Sequence, residues 1–247
     1  MKLFNFFIIF AFSLFICSCA TTTADPASLY KEKNEAQLFH DGQQAMLKKD
    51  NDIAIKHFEV VDARYPFGKY ARQAQLDIVY AYYQHSDTAS ALAAANRYIH
   101  LYPRGANVDY AYYMRGLIEF NQNIGFFEKF FPVDYAKRDL TSLKRSFRDF
   151  NRLLHYFPNS RYAPDARQRM IYIRNILAKH ELLIAQFYLE RGMYVAAANR
   201  ANEVVRHYQR TPSVPKALVV MEKAYRQLHM NKEADDSARV LKANFPE

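Results

Sequence analysis

The sequence predicts an all-α chain: a solenoid of about five helical hairpins, with ten main helices. Three observations carry that prediction. An aromatic residue followed by proline recurs as Tyr65-Pro66, Tyr102-Pro103, Phe157-Pro158 and Phe245-Pro246, and Tyr208-Gln209 reads as a fifth such closer without its proline. From position 66 through 103, 158 and 209 to 246 the intervals are 37, 55, 51 and 37 residues. Small residues stand at fixed distances before these closers: Gly42 and Ala54 before Pro66, Ala91 and Ala95 before Pro103, Ala185, Ala197 and Ala201 before Gln209, and Ala234 and Ala238 before Pro246. The third observation is composition. Half the residues are hydrophobic and only six are glycine, in a chain rich in alanine, tyrosine, arginine and lysine, which favours helix.

Small side chains let two antiparallel helices cross closely, and the next pair then covers the face left open. Proline ends each unit because it cannot continue a helix. This arrangement is tetratricopeptide-like and implies a right-handed superhelix, with repeats at about 35–66, 69–103, 106–158, 162–209 and 213–246. Within the repeats, helices are expected near 35–48, 51–64, 69–85, 88–101, 106–121, 136–156, 162–190, 194–209, 213–228 and 231–244. The turns inside repeats are "LKKDND", "QHSDTA", "ERGMY" and "HMNKEA". The second repeat has Val79 where the others place a small residue. The third carries an insertion over 121–139 with Gly125 and Pro132, and the fourth starts with a long helix whose proline, Pro164, sits where a first turn tolerates it.

The chain begins with Lys2 and an apolar run from Leu3 to Ile16, the pattern of a secretory signal peptide and too short for a comfortable span. Its only cysteines, Cys17 and Cys19, follow at once in "ICSC". That stretch resembles the bacterial lipobox, with Cys19 as the lipidated residue and Ile16 three positions before it. Residues 1–18 are then the signal peptide, 19–33 a lipidated flexible tether, and 34–247 the repeat domain. Two anchoring chains hold a protein stably at a bilayer where one does so marginally. Ala20 after the cysteine points, by likeness to sorting signals, to the outer membrane. The mature chain then has no disulfide, so packing alone must hold it.

The residues give little sign of chemistry. Eight histidines are scattered over separate helices, His180-Glu181 lacks the second histidine of a zinc motif, and neither a glycine-rich phosphate loop nor GxSxG occurs. No catalytic residue, metal site or cofactor is expected; a solenoid of this kind presents a concave binding surface. The formal charge is +9, and segment 137–174 holds ten Lys or Arg against Asp139, Asp149 and Asp165. In an exported chain this excess points to acidic partners or anionic lipid rather than nucleic acid.

Several stretches are more specific than the repeat pattern. "RYPFGKYARQAQLDIVYAYY" (64–83), "DYAYYMRG" (109–116), "GFFEKFFPVDYAKRD" (125–139), "FPNSRYAPDA" (157–166), "YLERGMYVAAANR" (188–200) and "MEKAYRQL" (221–228) resemble the BamD family of outer-membrane assembly lipoproteins. The resemblance covers nearly the whole mature chain. It implies a periplasm-facing, lipid-anchored subunit of the β-barrel assembly machinery, acting in folding and insertion of outer-membrane proteins. It further implies partners: the barrel subunit through a POTRA domain, companion lipoproteins, and unfolded outer-membrane proteins as substrates. A tetratricopeptide pilotin or secretin-assembly lipoprotein is the alternative, and would lack the 125–139 insertion.

Placed on the repeat register, Phe39, Gln43, Met46, Tyr80, Tyr83, Tyr113 and Leu117 fall on the concave face and form the expected pocket. Glu190, Arg191, Arg200 and Glu203 form the expected docking strip for the barrel subunit, with Arg200 either facing the partner or pairing with Glu203 at i,i+3. The lipobox register has its own test. Cys19→Ser should leave the chain unprocessed or unanchored in membrane fractionation, and Cys17→Ser should behave as wild type. Release by Cys17→Ser would place the lipid on the other cysteine.

Overall fold

The computed structural model describes residues 30–122 and 134–246. Cys19 and most of the 125–139 insertion lie outside them. The described residues hold ten α-helices and no strand. We number them α1 (Glu35–Leu47), α2 (Asn51–Arg64), α3 (Ala71–Gln84), α4 (Thr88–Leu101), α5 (Val108–Asn121), α6 (Thr141–Tyr156), α7 (Ala163–Glu190), α8 (Tyr194–His207), α9 (Val214–Gln227) and α10 (Asn231–Asn244). Each packs on the next, in the order the repeat pattern requires. None of them is long and apolar enough to cross a membrane.

Local chemistry sets the helix ends. The Asn34 carboxamide accepts from Gln37 N and the Gln37 side chain accepts from Asn34 N, both at 3.0 Å, a reciprocal cap that starts α1. Asp50 and Asp87 cap α2 and α4 by accepting from Ile53 N and Ser90 N. Inside four hairpins the chain reverses through one left-handed residue: Lys49, Ser86, Gly192 and His229, with φ of 61°, 66°, 72° and 59°. In each, the next N–H reaches back to the carbonyl five residues earlier, from Asp50 to Ala45, Asp87 to Tyr82, Met193 to Tyr188 and Met230 to Tyr225.

The links between hairpins share a length and a starting geometry. Tyr65, Tyr102, Phe157 and Tyr208 end their helices with φ between −121° and −135° and ψ between 40° and 61°, and the next helix starts six residues later each time. Proline excludes the residue before it from the helical region. Tyr208 adopts this geometry before Gln209, and the Thr211 hydroxyl donates to Tyr208 O at 2.8 Å. The link lacking proline keeps its length and the geometry of its first residue, but Arg210 turns left-handed with φ of 64° and the Thr211 hydroxyl takes the place of the backbone N–H that closes the other three links.

Two expected boundaries move. The helix expected over 136–156 begins at Thr141, after a single 3-10 turn at Tyr135–Lys137. Asp134 caps that turn through Ala136 N, and Asp139 accepts from both Thr141 N and the Thr141 hydroxyl, so the chain breaks between the two carboxylates. Residues 30–33, expected in the tether, lie on the first hairpin. Tyr30 is buried edge-on against His57 at 5.0 Å, Arg64 donates to Tyr30 O, and Lys33 pairs with Asp41 at 2.7 Å. The long α7 serves two hairpins. It packs against α6 through its first half and against α8 through its second, which explains the wide spacing of the fourth closer.

The crossing points show why small residues recur. A Cβ on Gly42 would lie 2.7 Å from the Phe58 ring, and one on Gly116 would lie 2.7 Å from the Phe150 ring. Both rings are fully buried. In the second hairpin the sizes are exchanged, with Val79 and Ala95 buried in one cluster. A glycine opposite a ring and a valine opposite an alanine fill the same gap. Gly42→Val should therefore overpack the first crossing and cost about 2 kcal/mol, a melting temperature lower by roughly 5 °C. Adding Phe58→Ala, which copies the second hairpin, should recover part of the loss. A double mutant no more stable than the additive sum would show that the two positions do not share one space.

Candidate functional site

The odd-numbered helices bring a strip of aromatic and charged side chains to one face. Tyr110 on α5 stands between Tyr80 and Asp77 of α3 and Tyr113 and Tyr162 toward α7. The Tyr113 and Tyr162 rings stack at 4.7 Å, and Tyr110 meets Tyr162 at 5.4 Å. Spacing explains the cluster: Tyr110 and Tyr113 are one turn apart on α5, and Tyr162 sits immediately before α7, which packs beyond it. Farther along, Arg169 lies over the Phe120 ring at 4.8 Å and Phe120 meets the half-exposed Tyr172 at 5.7 Å.

Charge in the strip is held in place. Asp165 receives the Tyr113 hydroxyl at 2.8 Å and Arg169 Nε at 2.6 Å. Burial pushes the Asp165 carboxyl up, but the bonds from Arg169 and Tyr113 outweigh it and hold the group below its ordinary value. Burial, with the bond to Asp165, pushes the Tyr113 phenol up to about 12, so it stays a donor at neutral pH. Among the described residues no cation pairs with Asp77. Burial raises its pKa against the bonds from Gln73 and Gln43.

The seven expected pocket residues divide. Gln43, Met46 and Tyr80 line an open groove of about 820 Å³ between α1 and α3, together with Leu47, Asp77 and Gln84. Tyr113 belongs to the stacked strip. Tyr83 faces a separate recess beside the second turn, where it accepts from Asn121 Nδ2 at 2.6 Å. Leu117 packs half-buried on the core around Val79 and Ile118. Phe39 does not face the groove at all. It is 7% exposed, stacked on Tyr70 at 4.9 Å and packed on Phe58, because the link before α3 folds Tyr70 over it. Tyr110, Tyr162, Asp77, Phe120 and Tyr172 were not anticipated; the i,i+3 pair of Tyr110 with Tyr113 was the available signal.

The expected docking strip is spread out. Arg200 pairs not with Glu203 but with Glu181 of α7: its Nη1 lies 2.9 Å from that carboxylate, whose side chain is 14% exposed, while the Arg200 side chain stays half-exposed. Glu203 instead faces His207 at 3.7 Å. Arg191 lies over the Phe187 ring at 4.5 Å. Glu190 is nine residues beyond Glu181 on α7, roughly 14 Å along the axis, so the four residues make no single cluster. Around the fourth turn, Met193 and Val195 are exposed and border a shallow recess with Tyr194, Asn199 and Leu228.

The basic segment is partly internal. Arg115 and Asp149 pair at 2.6 Å with both side chains nearly buried, and Arg145 pairs with buried Glu119 at 2.7 Å. Arg115 also donates to Asn96, and the Ser146 hydroxyl to Gly116 O. The two ion pairs and the Ser146 bond clamp α6 to α5, and the Asn96 bond ties α5 to α4. Lys144 and Arg148 face outward from α6.

Over residues 31–240 the chain matches the family YfiO, described as an outer membrane lipoprotein. Relatives named outer membrane protein assembly factor BamD include those of Neisseria gonorrhoeae and Vibrio cholerae, each 38% identical, and of Pasteurella multocida, 34% identical. The matches cover 94%, 85% and 99% of this chain and 88%, 87% and 91% of theirs. Among solved structures, a tetratricopeptide repeat protein from Parabacteroides merdae aligns with a TM-score of 0.38 and 12% identity, over 86% of this chain and 67% of its own. That superposition adds nothing to the helix pairs described above.

The Arg200 pair gives a direct test. Arg200→Glu would set two carboxylates together, one of them mostly buried, and should cost about 1 to 2 kcal/mol, lowering the melting temperature by roughly 3 to 6 °C. Glu181→Arg in the same chain should restore it. An unchanged melting temperature in the single mutant would show that the ion pair contributes nothing to the fold.

Proposed function

This chain belongs to the YfiO family of outer membrane lipoproteins, and from that membership we propose that it is an assembly factor for outer-membrane proteins, working as a non-enzymatic scaffold in the β-barrel assembly machinery. The observation that carries the reading is the near full-length match to relatives that bear that name. An association with the outer membrane follows from the same match. Anchoring through lipid on Cys19 and a periplasm-facing repeat domain are the finer parts of the proposal, supported by the lipobox.

Within that role the concave strip receives unfolded outer-membrane protein segments. Tyrosine offers broad apolar area with a polar tip, which suits an extended chain of mixed side chains. Tyr80 and Tyr172 are exposed toward the ligand side, while the stacked rings of Tyr113 and Tyr162 give a rigid floor. Rigid aromatic surface costs little ordering on binding. The barrel subunit's POTRA domain docks on the C-terminal hairpins over 188–228, where exposed Met193 and Val195 lie beside Arg191 and Glu190. An apolar centre with a charged rim is the usual anatomy of such a contact. Companion lipoproteins complete the partner set.

Photo-crosslinkers at Tyr80 and Tyr172 should capture unfolded outer-membrane proteins in cells, and one at Arg148, on the outward face of α6, should not. Capture at Arg148 equal to that at both tyrosines would remove the concave face as the substrate site.

A further inference from the structure

The first three links between hairpins share one edge. Neighbouring helices joined by short connections run antiparallel, so the C-termini of α2, α4 and α6 and the N-termini of α1, α3, α5 and α7 gather there. Residues 64–72, 101–108 and 156–163 hold five Lys or Arg and no Asp or Glu. The opposite edge, formed by turns 47–53 and 84–89, holds two lysines against three aspartates. Lys69, Arg104 and Arg161 are exposed, one in each link. Glu35 and Asp109 bring two carboxylates to the same edge, accepting from Tyr70 N at 2.7 Å and from the Ser160 hydroxyl at 2.6 Å, and neither forms a salt bridge with Lys69, Arg104 or Arg161.

The same edge exposes one large apolar side chain per link. Phe67 is fully exposed, Leu101 is 48% exposed and Tyr156 is 59% exposed. Single exposed apolar residues are ordinary on a protein surface. One in each of three successive links, with a cation two to five positions along the chain, follows the pattern of an interfacial surface that pairs basic groups with aromatic and aliphatic tips. The entry of the chain is the independent observation. Tyr30 is fixed to this edge by Arg64 at the end of α2, and α1 begins against the first link through Glu35. If Cys19 bears the lipid, ten residues separate it from Tyr30, a reach of at most about 35 Å.

From these placements we infer that the edge formed by the first three links lies against the anionic phosphate surface of the bilayer that holds the chain's lipid. The inference rests on the proposed anchoring at Cys19. It goes further in giving the repeat domain an orientation: this edge meets the headgroups, the turns at 47–53 and 84–89 point away, and the concave strip stands on its side to the membrane. Each exposed cation near an anionic leaflet strengthens binding by about five-fold. The contact is electrostatic and salt-sensitive, and the apolar tips shorten its distance.

The test uses the lipidated full chain on vesicles. Its lipidated form has no other cysteine, so Ala106→Cys in the second link and Ile53→Cys on the opposite edge each accept one dye. On phosphatidylcholine vesicles, flotation reports the anchor alone. On vesicles with phosphatidylglycerol and a headgroup-level quencher, quenching at 106 should exceed that at 53. It should fall in about 0.5 M salt and with Lys69→Glu combined with Arg104→Glu, while flotation is retained. Equal quenching at 106 and 53 in a floating protein overturns the edge and leaves the anchor standing. Failure to float on phosphatidylcholine overturns the anchor, and the edge with it.

Discussion

How closely the two helices of a hairpin can cross decides the rest of this structure. Phe58 and Phe150 each occupy space that a Cβ on Gly42 or Gly116 would take, and Val79 with Ala95 fills the corresponding space with the sizes exchanged. The repeat therefore preserves a summed volume rather than particular residues. Close crossing is also what makes the groove. When the two helices of a hairpin sit tightly, the odd helices approach one another on the inner side, and tyrosines one turn apart on one helix reach the next.

Turns and links hold the register that the crossings need. Four hairpins use one left-handed residue at the same position, although only Gly192 is free of the steric cost that a Cβ brings there. Lys49, Ser86 and His229 accept that cost because the reach-back hydrogen bond fixes the following helix start. The third hairpin has no such turn, since a long segment joins α5 to α6. There the nearly buried pair Arg115–Asp149 and the half-exposed Arg145 on buried Glu119, with Ser146 on Gly116 O, take over the task. A buried ion pair is weak evidence for stability but a sharp specifier of alignment, because a slip would strand each charge. Lengthening a loop costs little in chain entropy; the alignment it no longer enforces is the larger loss.

This division explains what could be read in the sequence. Helix bounds and hairpin closers follow from proline, small residues and periodicity, all local signals. The expected and observed ends of α2, α4 and α10 coincide. The break before Thr141 was hidden because Asp134 and Asp139 act as caps only once the 3-10 turn exists. The site was legible where a residue's own helix decides its direction, as for Gln43, Met46, Tyr80 and Tyr113. It was not where a distant segment decides. Tyr70, 31 positions from Phe39, covers that ring, and Glu181, 19 positions from Arg200, claims its charge. Tyr30 was missed for the same reason: its burial depends on His57 and Arg64, and its own flank is polar and open.

Hairpin geometry also sorts charge by location. Acidic residues favour helix starts and basic ones helix ends, as in α2 with Asp52 and Arg64. In an antiparallel stack each edge gathers the ends of one set of helices and the starts of the other, with Glu35, Asp109 and Asp165 at the starts beside the links, so that preference cancels between units. The basic character of one edge comes from the links themselves, through Lys69, Arg104 and Arg161. The interior cations of α5 and α6 are neutralised in pairs and contribute nothing to this field. A formal charge of +9 is therefore not a uniform coat. It lies outside these neutral clamps, in part on the outward face of α6 and in part on one edge. Because the concave strip carries tyrosines with Asp165 matched to Arg169, an extended chain can lie there without competing for the cations of the edge.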